Sequence, residues 1–218
     1  MHLGNFISNK LSDTIDYGIG KFNASFNYFM SSFGKCNSSV KTKLFSQYCS
    51  SFYGSQIWPL YKNDLTKKIS VNWRNALRRI WRIPSNTHCD ILPLLSSLSP
   101  VDIQLKCRFL KFYRSLIKSE NTLVCYLANV MIYTHRSTMS SNFNTILYEL
   151  NMEAHELANL SLKDVKELYY NKWINNVNNE YVIHSKVIKE LIMMKEGTFC
   201  RNLDISQCDF IINLLCTL

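Results

Sequence analysis

Lys67-Lys68-Ile69-Ser70-Val71-Asn72-Trp73-Arg74-Asn75-Ala76-Leu77-Arg78-Arg79-Ile80-Trp81-Arg82 decides how this chain is read. Trp73, Leu77, Ile80 and Trp81 follow one another at spacings of four, three and one. That rhythm stacks them on one side of a helix and predicts an amphipathic helix over 67–82. Arg74, Arg78 and Arg82 recur every four residues on another side. Their guanidinium groups would stand about 6 Å apart and repel one another. A row of phosphates opposite them reverses the sign, because each contact releases a condensed counterion. Lys67, Lys68 and Arg79 add charge to the same segment. Pro84 ends the helix.

The flanking sequence is helical too. On the N-terminal side, His2–Ser8 reads as a short strand. Residues 13–33 read as a helix with Ile15, Ile19, Phe22, Phe26 and Phe29 on its apolar side, stopped at Gly34. Asn37 or Ser38 can cap a helix over 39–57, with Phe45, Cys49 and Phe52 along it, and Pro59 ends it. On the C-terminal side, Ser99-Pro100 opens a helix that runs to about Ser119, with Ile103, Cys107, Leu110, Tyr113 and Ile117 inward. Its polar stripe includes Gln104, Arg108 and Lys111, again basic. Asn121 caps a shorter helix through Tyr133. Residues 134–143, rich in Ser, Thr and Asn, read as a linker. Helical patterns follow at about 144–158, 162–177, 185–195 and 206–216. The expected fold class is all-α, a mainly helical bundle with one short strand at its start.

Composition narrows the function classes. The chain has 218 residues, of which 47% are hydrophobic and 19% charged, so it is not a disordered tail. No apolar run approaches the ~18 residues of a membrane span. The net charge is +9, and its distribution is uneven. Residues 1–61 carry +3, residues 62–118 carry +9 and residues 119–218 carry −3. A basic window of this kind is the footprint of a polyanion partner. The plainer reading is a solvated basic face.

Catalytic patterns are missing. No two Asp or Glu residues are adjacent, so the paired carboxylates of a two-metal polymerase centre are absent. There is no glycine-rich phosphate loop, no His-Glu-x-x-His and no Gly-x-Ser-x-Gly. Glu149, Glu153 and Glu156, with His155 beside them, read as a solvated helix face. The 8 cysteines include no Cys-x-x-Cys pair and sit in apolar, helix-patterned stretches, which favours free buried thiols in a reducing compartment. Cys200, Cys208 and Cys216 are evenly spaced but lack zinc-like pairing at roughly two to four residues. Trp73, Trp81, Phe109, Phe112 and Tyr113 are rings of the kind that stack on bases. Their helical spacing beside Leu and Ile assigns them to the core instead.

The stretch from Val71 to Pro84, with Thr87-His88-Cys89 and Leu92-Pro93-Leu94-Leu95-Ser96, resembles a particular family. It is similar to the segment downstream of the polymerase core in jockey-like LINE (non-LTR) retrotransposon reverse transcriptases. The run from Leu44 to Trp58 resembles the same proteins, as does the opening His2-Leu3-Gly4-Asn5-Phe6-Ile7-Ser8. Gln104, Arg108, Phe109 and Phe112 fit the helix that follows, and the tail from Ile211 to Cys216 is similar to the end of such reading frames.

The resemblance implies an end-of-palm strand remnant at 1–12, a thumb-like basic helical domain at 13–133, the linker at 134–143 and a C-terminal helical region at 144–218. It implies RNA-directed DNA polymerisation for the family, with Mg held by palm aspartates that precede the position matching His2-Leu3-Gly4. Neither those aspartates nor the endonuclease is in this sequence, so the chain is expected to be inactive alone and to hold no cofactor itself. The retained role it implies is backbone binding of the template–primer: RNA, RNA–DNA hybrid or DNA duplex. The expected contact residues are Lys67, Lys68, Arg74, Arg78, Arg79, Arg82, Arg108 and Lys111. Residues 144–218 lack a zinc-knuckle spacing and are net acidic, so no RNA binding is expected there. The missing polymerase core is a further expected partner, a membrane is not, and the expected location is intracellular, cytoplasmic or nuclear. Two other readings stand beside this one: a helical protein-interaction module, and a decayed element copy without function.

Overall fold

The computed structural model describes residues 11–181 apart from 51, 53, 86, 88, 135 and 136. Among the described residues the chain is all-α. The helices are α1 (Leu11–Phe33), α2 (Ser38–Tyr48), α3 (Asn63–Trp81), α4 (Ile91–Ser96), α5 (Val101–Ile117), α6 (Thr122–Tyr133), α7 (Thr138–Leu150), α8 (Ala154–Asn159) and α9 (Leu162–Tyr181). A short 3-10 turn, Ser55–Ile57, lies between α2 and α3. The strand expected at His2–Ser8 and the helices expected at 185–195 and 206–216 lie outside the described residues.

Two aromatic-rich helices start the core. Phe22, Phe26 and Phe29 of α1 are buried and surround Phe45 of α2, which has no exposed surface. The Phe45 ring meets Phe22 and Phe26 edge-on at centroid distances of 6.0 and 5.8 Å. That arrangement places the positive ring edge against the negative ring face. Gly18 admits the Trp58 indole against α1, since a Cβ there would lie 2.5 Å from its Cζ2. Asn37 caps α2 as expected, its side chain accepting from the Val40 amide at 2.8 Å.

The helix expected over 39–57 is interrupted. α2 ends at Tyr48, Phe52 takes φ 38° and Gly54 takes φ 81°, so the chain turns into the 3-10 segment. Phe52 and Trp58 are buried all the same, so an irregular segment mimics the apolar rhythm of a helix.

α3 runs from Asn63 to Trp81 and buries Trp73, Leu77, Ile80 and Trp81, the four residues that define its stripe. α5 is the hub: it packs on α3, the 3-10 turn, α6, α7 and α9. The rings of Trp81 and Phe109 are buried, and Phe112 and Tyr113 pack against the core while partly exposed. The aromatics assigned to the core from their spacing are therefore in it or against it.

The linker expected at 134–143 is corrected. Ser137 caps a helix that starts at Thr138, its hydroxyl accepting from the Ser140 amide at 2.9 Å. Ser140 and Asn142, read as loop residues, are buried. The Asn142 Oδ1 accepts from the Leu60 amide at 2.7 Å and the Tyr61 amide at 3.3 Å, and its Nδ2 donates to the Trp58 carbonyl at 2.8 Å. One side chain thus satisfies the backbone of the turn before α3, and those bonds compensate the cost of burying a polar residue.

Among the five described cysteines no disulfide forms; only Cys49 is fully buried, and the other four are partly exposed. Burial pushes the Cys49 thiol up to about 11. A neutral alkylating reagent at mildly alkaline pH should therefore spare Cys49 in the folded chain and modify it after urea unfolding, as mass spectrometry would read. Among the described residues no helix is long and apolar enough to cross a membrane.

Candidate nucleic-acid interface

α3 sorts its polar residues into three strips. The inner strip is the core stripe. One flank faces α1. Lys68 Nζ lies 3.2 Å from Asp16 Oδ1, Asn72 Oδ1 accepts from Asn23 at 3.1 Å, and Arg79 donates to Asn27 Oδ1 at 3.0 Å. The Arg79 guanidinium also lies 4.9 Å from the centre of the Phe26 ring. Asp16, Asn23 and Asn27 recur on α1 at spacings of seven and four, a polar stripe readable in the sequence as the partner of Lys68, Asn72 and Arg79.

The outer strip carries Lys67 and Arg82, both exposed, and Arg78, partly exposed. Arg74 lies toward the opposite flank, also partly exposed. The four-residue stripe is thus partly broken. Arg82 is no longer helical: it caps α3 at φ 53°, and its amide bonds back to the Arg78 carbonyl. Arg78 donates to the Asn75 side chain at 3.1 Å and to the Thr87 carbonyl at 2.8 Å, holding the loop after the helix. Arg74 Nε donates to the Ser70 carbonyl at 3.2 Å.

The acceptors of Arg74, Arg78 and Arg79 are all neutral. Among the described residues no carboxylate lies within salt-bridge distance of these guanidinium groups. Burial, and then the charge of Arg74, hold Arg78 below its ordinary value. The two cations therefore sit in mutual repulsion that an anion placed between them would relieve.

Arg108 and Lys111 lie on α5, apart from this strip in the chain. Lys111 is exposed. Arg108 is turned into the fold: it donates to the Ser50 carbonyl, and its guanidinium lies 5.9 Å from the centre of the Phe52 ring. Burial lowers its pKa. Its work in the fold is to tie the irregular segment after α2 to α5.

The structure also separates the three glutamates read as one solvated face. Asn151 ends α7 at φ 52°, so Glu149 belongs to a different helix from the others. Glu153 and Glu156 form the capping box of α8, and the His155 Nδ1 lies 3.3 Å from Glu153. Glu149 is ion-paired with the buried Lys106 of α5 at 2.7 Å and accepts from the Tyr169 hydroxyl at 2.8 Å. Burial, followed by the Glu149 charge, pushes the Tyr169 phenol up.

One half-open pocket of about 170 Å³ adjoins the interface. Ser70, Trp73 and Arg74 of α3 form one wall; Cys89, Asp90 and Pro93 form the second, and Pro100, Val101, Asp102 and Trp173 complete it. Asp102 and Trp173 carried no signal at the sequence level, because α5 and α9 meet α3 only in the folded chain. No family model, curated protein or solved structure matches the chain.

Proposed function

We propose that this chain binds the sugar–phosphate backbone of a nucleic-acid duplex, as the thumb-like and C-terminal part of a jockey-like non-LTR retrotransposon reverse transcriptase. The observation that carries the reading is the outer strip of α3. Lys67, Arg78 and Arg82 stand there with Arg74 at the edge, and the hydrogen bonds of Arg74 and Arg78 go to neutral acceptors. Exposed guanidinium groups without carboxylate partners have their charge available for phosphate, and such contacts position a strand without reading its sequence. Lys68 and Arg79 add positive field at the α1 flank while they hold α1 to α3. Arg108 acts inside the fold, and any contribution it makes is through the field alone.

The chain polymerises nothing by itself in this reading. Among the described residues no three His, Cys, Asp or Glu side chains gather to hold a metal ion, and no step of the proposal passes through one. The family's divalent ions would sit in a palm on the polymerase core, the partner this strip would face across the duplex.

The test is binding of the purified chain to a fluorescent RNA–DNA hybrid at about 50 and 200 mM salt, with polymerisation assayed alongside. Affinity should fall roughly a hundred-fold across that range, with no DNA made. Changing Arg74, Arg78 and Arg82 together to Gln leaves the Arg79–Asn27 contact intact. It should lower the log–log salt slope by about 2.7, uniformly across duplex sequences. An unchanged slope would remove the strip from the account.

A second reading, a helical protein-interaction module, draws on α6. That helix has no charged residue, and it exposes Leu123, Tyr126, Leu127, Val130, Met131 and Tyr133. Exposed apolar surface of this kind marks contact sites. A chain that is folded by circular dichroism but binds no duplex at either salt would favour it.

A further inference from the structure

We propose that the first turn of α2 and the ammonium of Lys41 hold one phosphate of the bound strand, so that the interface continues past the end of α3 onto α2. This rests on the backbone-binding reading above and extends it to a residue outside the basic helix.

Lys41 is the residue that lacks a counterpart. It is 2% exposed, and among the described residues its ammonium has no hydrogen-bond acceptor, carboxylate or aromatic ring in contact. A buried cation without an anion loses hydration and gains nothing in exchange. The sealed side-chain atoms without a partner among the described residues are Ser55 Oγ, Trp73 Nε1, Arg78 Nε and Trp81 Nε1. Lys41 Nζ is not one of them, so its aliphatic stem is covered while its tip opens to solvent. An anion can therefore reach the charge, and the stem is ordered before the anion arrives.

Helix geometry aims that tip. α2 starts at Ser38, and side chains on a helix lean toward its N-terminus. Lys41 stands one turn in, so its side chain reaches back over Ser38 and Asn37. Asn37 Oδ1 accepts from the Val40 amide, and the Asn37 carbonyl accepts from the Lys41 amide. That leaves the Ser38 and Ser39 amides as the open donors of the turn. They carry the positive end of the helix dipole, and the ammonium completes the donor set that a phosphate uses.

The surroundings have the same sign. The Ser38 hydroxyl donates to the Ile80 carbonyl at 3.1 Å, which seats the start of α2 against the last turn of α3. Residues 34–48 carry three lysines and residues 74–89 four arginines, with no Asp or Glu in either stretch. Arg82, exposed at the cap of α3, follows two residues after Ile80. A strand that runs along the outer strip to Arg82 meets the first turn of α2 next. A phosphate there neutralises a charge that the fold itself leaves unpaired.

The experiment measures binding of the intact chain to the fluorescent RNA–DNA hybrid across salt, for the parent, Lys41→Met and Lys43→Gln. Met keeps the buried stem and removes the charge. Lys41→Met should weaken binding roughly ten-fold at about 50 mM salt and lower the log–log slope by about 0.9, one contact's worth. Lys43 is exposed and lies about 200° round the helix from Lys41. Lys43→Gln removes an equal charge and should leave the slope as in the parent. Separately, inorganic phosphate titrated into the isotope-labelled chain should shift the Ser38 and Ser39 amide signals saturably, and Lys41→Met should abolish that shift. A Lys41 with a structural role alone would move the urea midpoint and neither of these readouts. If Lys41→Met is unfolded by circular dichroism, the parent's phosphate titration decides: no shift at Ser38 and Ser39 overturns the site. Equal slope losses in the two variants, or an unchanged slope in Lys41→Met, overturn it as well and leave backbone binding standing. A parent that binds no hybrid at either salt overturns both.

Discussion

Phe45→Ala should lower the free energy of unfolding by about 3–5 kcal/mol, read from the midpoint and slope of a urea titration. Phe45 has no exposed surface, and its neighbours are already fixed. Phe22 and Phe26 stand edge-on to it, and Phe29 lies 6.5 Å away between ring centres. Phe22 in turn stacks on Phe52 at 5.1 Å. Removing the central ring leaves a hole lined by rings that other contacts hold in place, so collapse cannot fill it. The loss then includes both the transfer of the ring to water and the dispersion contacts of the ring edges. Tyr48→Ala, three residues along the same helix and 65% exposed, should change stability by no more than about 0.5 kcal/mol. Equal losses at the two positions would show that α2 contributes helix propensity rather than packing.

Glu149→Ala should cost about 3–5 kcal/mol in the same measurement. Lys106 is 8% exposed, and its ammonium meets both carboxylate oxygens of Glu149, at 2.7 and 2.8 Å. Asp102 is 3.9 Å away, and the Tyr169 ring lies 5.2 Å from the ammonium. Asp102 keeps an ion pair at the outer edge of contact distance, so the substitution leaves the buried cation only partly compensated. Glu149 is itself 31% exposed, and water entering beside it brings the expected loss toward the lower end of the range. Replacing Lys106 with Met and Glu149 with Leu together should recover part of the stability, because the buried cation is removed while the Tyr169 hydroxyl still loses its acceptor. A double-mutant cycle over the pair separates the two cases: a coupling energy near zero would mean that the ions are solvated independently.

The sequence carried the helices whose core stripe is built from large apolar residues. α1 and α3 were legible because Phe22, Phe26 and Phe29, or Trp73, Leu77 and Ile80, repeat at helical spacing and are buried in the way that spacing requires. α6 was legible from Asn121, whose side chain accepts from the Leu123 and Val124 amides. Two stretches misled for opposite reasons. Residues 49–58 keep an apolar rhythm while the backbone turns at Phe52 and Gly54. Residues 138–143 look like loop because Ser and Asn alternate with the buried Met139 and Phe143, and Asn142 is held in the helix interior by backbone far away in the chain. Local propensity cannot register a partner some eighty positions away.

The candidate interface divided along the same line. That a basic helix exists here was readable from the chain. Which cations remain outward was not, because the partners of Arg78, Arg79 and Arg108 are Thr87, Asn27 and Ser50, set by tertiary packing. The spacing argument continued the helix through Arg82, whereas Arg82 closes α3 as a left-handed cap. Arg108 fell on a polar stripe by periodicity, yet the irregular segment after α2 covers it.

The Asn142 contacts bear on how the protein is made. Leu60 stands 82 residues ahead of the side chain that satisfies its amide. A ribosome adding about 5–20 residues each second needs roughly 4 to 16 s to span that interval. For that time the turn before α3 is synthesised but unlatched, and the basic helix that follows it leaves the exit tunnel before its mount is closed. During those seconds α1 is the helix already made that can hold Lys68, Asn72 and Arg79, and the turn ahead of them waits for Asn142.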